Sequence, residues 1–241
     1  MPIDIRILNY LQYLPIFVVG TENGFGIQEL RNLNILGGKL LIHNLENVSD
    51  GNDAEAGNLK EKKHILRMEL HWSHIENFGG VVRNDFEVLQ GLQPHRNLKR
   101  LGIYNNIGSK FSTWMDPNSW LLNLVFIVLQ NCSECKKLPP LGLLRFLKVL
   151  KLDGLGAVTR IGSDFYVGDG SNLSSFPSLE NLSVVRMENL VEWTDYISSY
   201  SSSSYYSSSK FPHLEQFKIR FCLGIFSIFK VKSIDFDYRG Q

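Results

Sequence analysis

Cysteine is scarce. Cys132, Cys135 and Cys222 are the only three in 241 residues. An odd set this small cannot build a disulfide framework, and it fits a reduced, cytoplasmic setting better than a secreted one. Long apolar runs are also missing: nothing approaches the ~20 residues that carry a helix across a bilayer, so no membrane span is expected. The short apolar stretch Leu14 to Gly20, with Asp4 and Arg6 before it, has no basic start, extended apolar core or small-residue cleavage site, and is read as folded structure rather than a secretory signal. Neither sign of charge dominates. The 25 Lys and Arg against 24 Asp and Glu leave a formal +1, so no nucleic-acid partner is expected, because counterion-release binding needs a concentrated cationic excess.

The motifs of catalysis and cofactor binding are missing as well. No G-x-x-x-x-G-K-[ST], G-x-S-x-G or H-E-x-x-H occurs. Gly24-Phe25-Gly26 imitates the start of a dinucleotide fingerprint, but the third glycine position holds Glu29, whose charge opposes a pyrophosphate. The stretch Gly102 to Lys110 ends in Gly-Ser-Lys with the wrong spacing for a phosphate loop. Cys132-x-x-Cys135 has the spacing of metal ligands without a second pair, and the His64, His71 and His74 group is distant in sequence. No catalytic, cofactor or metal residue is therefore assigned. Four N-x-[ST] sites exist, at Asn47, Asn131, Asn172 and Asn181; Asn131 and Asn181 fall in or beside expected strands, where a glycan would clash with stacking.

What the chain does contain is 44% hydrophobic residues, distributed in one recurring pattern: apolar, two variable, apolar, one variable, apolar. The copies are Ile65-x-x-Met68-x-Leu70, Leu98-x-x-Leu101-x-Ile103, Leu124-x-x-Ile127-x-Leu129, Leu147-x-x-Leu150-x-Leu152, Leu179-x-x-Leu182-x-Val184 and Leu214-x-x-Phe217-x-Ile219, with a looser copy around Leu40 and Ile42. Their first positions are 33, 26, 23, 32 and 35 residues apart, around and above the ~20–29 of leucine-rich repeats. The period of two puts both strand residues on one face, and one unit cannot bury that face alone. Stacked copies make an α/β repeat: a leucine-rich repeat solenoid, or horseshoe, with short parallel strands on its concave face and irregular or helical return segments. A compact α/β protein would need long helices between strands, and Leu138-Pro139-Pro140-Leu141-Gly142 rejects one there. Cys132, Leu155, Leu190 and Leu45 are expected to turn inward after their strands.

The return segments predict a helix over Asp53–Lys62 capped by Asp53, with Gly57 in its middle, a loop from Glu76 to Asp85, and a short helix over Val88–Leu92. The expected organisation is one repeat domain over 1–241. It comprises an opening repeat (1–36), repeats with helical and loop insertions (37–95), more regular repeats (96–197), a Ser/Tyr low-complexity loop (198–209) and a last repeat with a divergent tail (210–241).

Several stretches resemble the leucine-rich repeat region of plant coiled-coil nucleotide-binding disease-resistance proteins. They are Leu11-Gln-Tyr-Leu-Pro-Ile-Phe-Val-Val-Gly20, Gly38-Lys-Leu-Leu-Ile-His-Asn-Leu-Glu-Asn-Val48, Asn58-Leu-Lys-Glu-Lys-Lys-His64, Leu89-Gln-Gly-Leu-Gln-Pro-His95, Leu138-Pro-Pro-Leu-Gly142, Ile161-Gly-Ser-Asp-Phe-Tyr166 and Phe176-Pro-Ser-Leu-Glu180. The chain departs from that family at Ser112, where Pro is usual, at Gly57, where Ala is usual, and after Phe221. The resemblance implies a non-enzymatic module of innate immunity that senses pathogen effectors or host proteins and restrains a nucleotide-binding switch. The switch is absent from this sequence, so ADP or ATP would belong to that missing domain, and the chain resembles a fragment or truncated paralogue. Its expected partners are a pathogen effector, a guarded host protein or the receptor's own nucleotide-binding domain. An extracellular repeat receptor or inhibitor, and a gene fragment without a role, remain alternatives.

Binding is expected on the concave face, whose exposed strand positions follow from the register. The candidate contacts are Arg67, Glu69, His71, Arg100, Tyr104, Phe126, Gln130, Lys151, Asp153, Lys218 and Arg220. Arg67, Arg100, Tyr104 and Phe126 stand out among them, since Arg and aromatic side chains dominate protein-contact energetics.

Overall fold

A computed structural model describes residues 4–73, 83–116, 120–166, 175–193, 211–222 and 224. The expectations for His74, most of the Glu76–Asp85 loop, Asn172, the Ser/Tyr stretch 198–209 and nearly all of the tail after Phe221 lie outside these residues.

Eight strands form one parallel sheet: β1 (Ile16–Val18), β2 (Gly37–His43), β3 (His64–His71), β4 (Arg100–Tyr104), β5 (Phe126–Gln130), β6 (Val149–Asp153), β8 (Asn181–Val185) and β10 (Gln216–Arg220). They lie side by side in chain order. The numbers skip because β7 (Arg160–Ile161) and β9 (Glu192–Trp193) pair with each other in a small second sheet built from return segments. Each copy of the sequence pattern supplies one strand of the large sheet, as a stacked repeat requires.

The pairing aligns the inward residues in columns. One column runs Leu40, Met68, Leu101, Ile127, Leu150, Leu182 and Phe217; the next runs Ile42, Leu70, Ile103, Leu129, Leu152, Val184 and Ile219. All but Phe217 are buried, and Phe217, in the last described strand, packs half-covered against the same core. Behind them Ile65, Leu98, Leu124, Leu147 and Leu179 form a third buried layer. Each fully buried aliphatic side chain contributes about 1.5–3 kcal/mol, so the columns are the main source of stability.

Just after the strand, Leu45, Cys132 and Leu155 turn inward as expected and are fully buried. The fourth expectation is displaced: Met187, two residues past β8 as Leu155 is past β6, occupies the equivalent place. Leu190 is buried three residues further on, in line with Val158, Cys135 and Val48.

The chain leaves most strands through a left-handed residue: Asn44 (φ 59°), Asn105 (φ 60°), Asn131 (φ 54°), Gly154 (φ 68°), Arg186 (φ 50°) and Phe221 (φ 55°). Asn and Gly tolerate this conformation best. The asparagines also use their amides. Asn105 Nδ2 donates to the Trp72 carbonyl at 2.9 Å, and Asn131 Nδ2 to Asn105 Oδ1 at 3.0 Å. These bonds link consecutive repeats at the sharp turn where strand pairing ends.

The helices differ from expectation. The first, α1, spans Gly51–Ala56, not Asp53–Lys62. Asp50 is its cap, with its side chain accepting from the Asn52 and Asp53 amides at 2.8 and 3.0 Å, while Asp53 Oδ2 accepts at 3.1 Å from the amide of Ser49, the residue before the cap. Gly57 ends the helix rather than sitting inside it, Asn58 follows in the left-handed region, and Leu59–Glu61 form a 3-10 turn. The second helix, α2, spans Asp85–Gly91 and packs on α1. It begins three residues before the expected Val88 because Asp85, buried beside Arg83, anchors its start through hydrogen bonds at 3.0 and 2.6 Å. A third, α3, is the single turn Ser163–Tyr166. The other return segments are 3-10 turns and irregular chain, including Leu141–Leu143 after Pro139 and Pro140.

Lys62 is fully buried. Its Nζ donates to the carbonyls of Leu30 (2.7 Å) and Leu33 (3.5 Å), two backbone acceptors of the preceding repeat. Burial holds its pKa at about 8. The unfolded chain, near 10.5, binds the proton more tightly, so this residue's contribution to stability is fully present above 10.5 and is lost as pH falls to 8. Relative to Lys62→Met, the wild-type chain should gain about 3 kcal/mol of unfolding free energy across that window, as measured by urea titration at successive pH values. A difference between the two proteins that is flat with pH would show that Lys62 is not held as described. Leu150 lies in the middle of the first column, where Leu150→Asp would bury an unpaired charge. This variant should lose the cooperative thermal transition, and an unchanged melting temperature would contradict the register.

Candidate functional site

The side of the sheet opposite the columns is open and follows the same pairing, so its residues also fall into rows. The first row contains Lys39, Arg67, Arg100, Phe126, Val149, Asn181 and Gln216. The second contains Ile16, Leu41, Glu69, Gly102, Val128, Lys151, Ser183 and Lys218. The third contains Val18 and His43, then His71, Tyr104, Gln130, Asp153, Val185 and Arg220. All eleven candidate contacts from the sequence lie on this one face.

At its N-terminal side the third row is a ladder of flat rings. His43 and His71 stack with centroids 4.4 Å apart and planes 10° from parallel, and His71 and Tyr104 with centroids 4.2 Å apart and planes 1° from parallel. The 4.7–4.9 Å between neighbouring strands sets this distance, so equivalent positions on parallel strands present rings ready to stack. Tyr104 leans back over Gly102, where a Cβ would lie only 2.5 Å from the ring. The missing side chain at Gly102 thus provides the space that the tyrosine occupies.

Glu69 lies beneath this ladder. Its carboxylate accepts from Arg67 Nε and Nη2 at 2.8 and 2.5 Å and meets His71 Nε2 at 3.1 Å. Burial alone would raise its pKa; the hydrogen bonds and charges of Arg67 and His71 outweigh that effect and hold it below the ordinary value. Burial lowers the pKa of His71, with Glu69 opposing and the neighbouring His43 adding to the shift. The Tyr104 hydroxyl is raised, first by burial and then by the Glu69 charge. Glu69 itself is only 8% exposed, so it acts on the surface through Arg67 and His71, whose side chains it positions.

The middle of the face centres on Phe126. Arg100 holds its guanidinium carbon 5.2 Å from the ring centroid, and Lys151 its Nζ 5.6 Å from it. The two cations come from the strands on either side of β5 and share one ring, a geometry that attracts without neutralising either charge. Beside it Val128 is 7% exposed, more covered than a solvated strand position. Further along, Asp153 accepts from Arg186 Nε at 2.7 Å, and Arg186 Nη2 also donates to Asn131 Oδ1 at 3.0 Å. Arg186 belongs to the left-handed strand exits and was not among the sequence candidates. Lys218 and Arg220 are exposed.

The other motifs weighed from the sequence have structural places. Cys132 and Cys135 are buried in successive inward positions. Burial pushes both thiols up, Cys135 to about 12, so neither presents a thiolate at neutral pH. Gly26 leads into a 3-10 turn over Ile27–Leu30, and Glu29 in that turn is buried, accepting from the Arg6 amide at 3.3 Å. Among the described residues no His/Cys/Asp/Glu group is arranged to hold a metal ion, and no helix is long and apolar enough to cross a membrane.

Comparison with known proteins agrees with the repeat geometry. The sequence model of the R13L1/DRL21 leucine-rich repeats matches residues 27–155. Among curated proteins, a putative disease resistance RPP13-like protein 1 of Arabidopsis thaliana is 36% identical over 191 residues, covering 75% of this chain and 18% of the relative. The putative disease resistance protein RGA4 of Solanum bulbocastanum is 32% identical over 222 residues, covering 92% of this chain and 21% of the relative. The putative disease resistance protein RGA1 of the same species is 36% identical over 189 residues, with 78% and 18% covered. The chain thus spans about a fifth of the length of these relatives.

Gly102→Ala should displace the Tyr104 ring from its stack while leaving the fold intact. The expected readout is a downfield move of the His71 ring-proton resonances as the tyrosine ring current is withdrawn, with cooperative thermal unfolding retained. Unchanged His71 resonances would show that Tyr104 does not lie over Gly102 in solution.

Proposed function

The chain belongs to the R13L1/DRL21 family of leucine-rich repeats, and we propose that it is the protein-recognition module of a plant disease-resistance protein, with the open face of its sheet as the contact surface. The observation that carries this reading is the convergence of Arg67, His71, Arg100, Tyr104 and Phe126 on three adjacent strands of one open face, held by stacking and cation–ring contacts rather than buried. Arg and aromatic groups that are preorganised lose little freedom on binding, which is what concentrates affinity at a few positions. The names of the relatives support the setting: proteins of which this chain matches about a fifth are described as disease-resistance proteins.

In this reading the module does no chemistry of its own. It recognises a pathogen effector, a host protein or the receptor's own nucleotide-binding domain. It works in the cytoplasm, and any ADP or ATP is held by that other domain. The buried, unpaired Cys132, Cys135 and Cys222 fit a reducing compartment, where free thiols persist.

The test uses one double variant. Arg100→Ala/Tyr104→Ala removes one of the two cations beside Phe126 and the end ring of the stack, neither of which belongs to the inward columns. We expect an unchanged far-ultraviolet spectrum, retained cooperative unfolding, and at least a tenfold loss of affinity for a partner identified by co-purification from plant tissue and then purified. Wild-type affinity in the folded variant would remove the open face from consideration.

A further inference from the structure

The open face carries a charge imbalance that the whole chain hides. Its three rows hold six cations, Lys39, Arg67, Arg100, Lys151, Lys218 and Arg220, against two carboxylates, Glu69 and Asp153. Both carboxylates are taken up, Glu69 by Arg67 and His71 and Asp153 by Arg186. At the strand entrances Glu180, with Glu215 nearby, is occupied by Lys148. Among the described residues no ion pair is made by Arg100, Lys151, Lys218 or Arg220. The anionic capacity of the face is spent internally, while its cationic capacity is not.

The spacing of these charges selects a geometry. In the sheet order β4-β5-β6-β8-β10, Arg100, Lys151 and Lys218 sit on alternate strands. With strands about 4.8 Å apart, Lys151 and Lys218, which share a row, are about 10 Å apart; Arg100 stands one row over, and its guanidinium carbon and the Lys151 Nζ, 5.2 and 5.6 Å from the Phe126 centroid, bring those two charges to a comparable separation. An extended β-type segment cannot match this with one face, because its side chains alternate with a period of two. A polyproline-II segment has three residues per turn and rises about 3.1 Å per residue, so every third side chain points the same way at about 9 Å intervals. Between the charges the half-exposed Phe126 ring gives the segment an aromatic surface, the kind of lining on which such helices dock.

We infer that the open face binds an extended acidic protein segment of polyproline-II form, lying across the strands with Asp or Glu at every third position facing Arg100, Lys151 and Lys218. This rests on the recognition surface proposed above and gives that surface a partner chemistry. The occupant is a segment other than this chain's own undescribed stretches, which are poor in acid: 74–82 carries one Glu, 167–174 and 194–210 one Asp each, and 225–241 two Asp. A nucleic acid is disfavoured, because its phosphates call for continuous charge whereas here Phe126, Val128 and Val149 interrupt it.

The experiment measures binding of the full chain to fluorescent peptides by anisotropy at 50 and 300 mM salt. The probes are a Glu-Pro-Pro repeat of twelve residues, a peptide of the same composition with its four Glu residues contiguous, a Lys-Pro-Pro repeat, and oligouridylate. The expected result is binding of the Glu-Pro-Pro repeat at least fivefold tighter than the contiguous-Glu peptide, no binding of the Lys repeat, and weakening in high salt. Lys151→Glu and Lys218→Glu should each lower that affinity at least fivefold. Lys136→Glu, a change on an exposed return segment, should leave it alone. Equal binding of the two acidic peptides, tighter binding of oligouridylate, or indifference to both strand substitutions would overturn the inference. If Arg100→Ala/Tyr104→Ala abolishes binding of a purified partner while Lys151→Glu and Lys218→Glu do not affect it and the Glu-Pro-Pro repeat fails to bind, the open face remains the contact surface and the acidic-segment inference alone falls.

Discussion

Parallel pairing in a fixed register is the constraint from which the remaining structure follows. A single repeat of this chain has one strand of five or so residues with two inward side chains, too little to bury anything by itself. Pairing Leu101 with Ile127, and Ile127 with Leu150, turns isolated pairs into continuous columns. The same pairing leaves no freedom on the opposite side: if the inward residues are aligned, the residues between them are aligned too. The core and the candidate site are therefore two faces of one set of hydrogen bonds, and a one-residue slip of any strand would exchange them.

The constraint acts again at the strand ends, where each repeat must turn sharply without leaving backbone groups unpaired. The recurring left-handed residue handles the turn, and side-chain amides handle the polar groups. Asn105 and Asn131 do both. Arg186 also supplies the left-handed turn (φ 50°), a conformation that costs a non-glycine residue roughly 1–2 kcal/mol, and ties it with a guanidinium, not an amide, bonded to Asp153 and Asn131. Gly154 does only the first, and the space a side chain would occupy there is filled by Asn131 Oδ1, 2.6 Å from where its Cβ would be. The turn column is thus solved differently in successive repeats, which is why it has no single-residue signature.

That difference marks what was legible in the sequence. The strands and their outward residues followed from Leu-x-x-Leu-x-Leu spacing alone, because period-two alternation is a property of the local chain. Where structure depends on which side-chain bonds form, or on neighbours some thirty residues away, reading the apolar pattern fails. Asp50 and Asp53 are both competent caps, and only the reciprocal bonds to Ser49, Asn52 and Asp53 decide that Asp50 begins the helix. Glu69 reads as one more exposed strand residue, yet its own face covers it. Leu190 lies a plausible distance after its strand, but alignment with Leu155 shows that Met187 holds that place. Nothing in the sequence announces the His43–His71–Tyr104 stack, since its three rings come from three separate repeats.

The two faces also differ in what they allow to vary. An inward position has its size and polarity set by neighbours on both flanks and by the layer behind it, so change there is costly: removing a buried leucine side chain typically loses about 2–5 kcal/mol. An open-face position has its backbone held by the same ladder but its side chain limited only by adjacent rows. This chain uses that latitude unevenly. Around β3 and β4 it places interlocked rings and a covered carboxylate, around β5 and β6 two cations on one phenyl ring, and on β10 two exposed cations. A rigid backbone carrying side chains of such different character is a surface on which new specificity requires no new fold, only new residues at positions the core does not use. The arrangement thereby separates the demands of stability from those of recognition: Leu150 answers to the columns, while Lys151, the next residue along, answers to whatever the face meets.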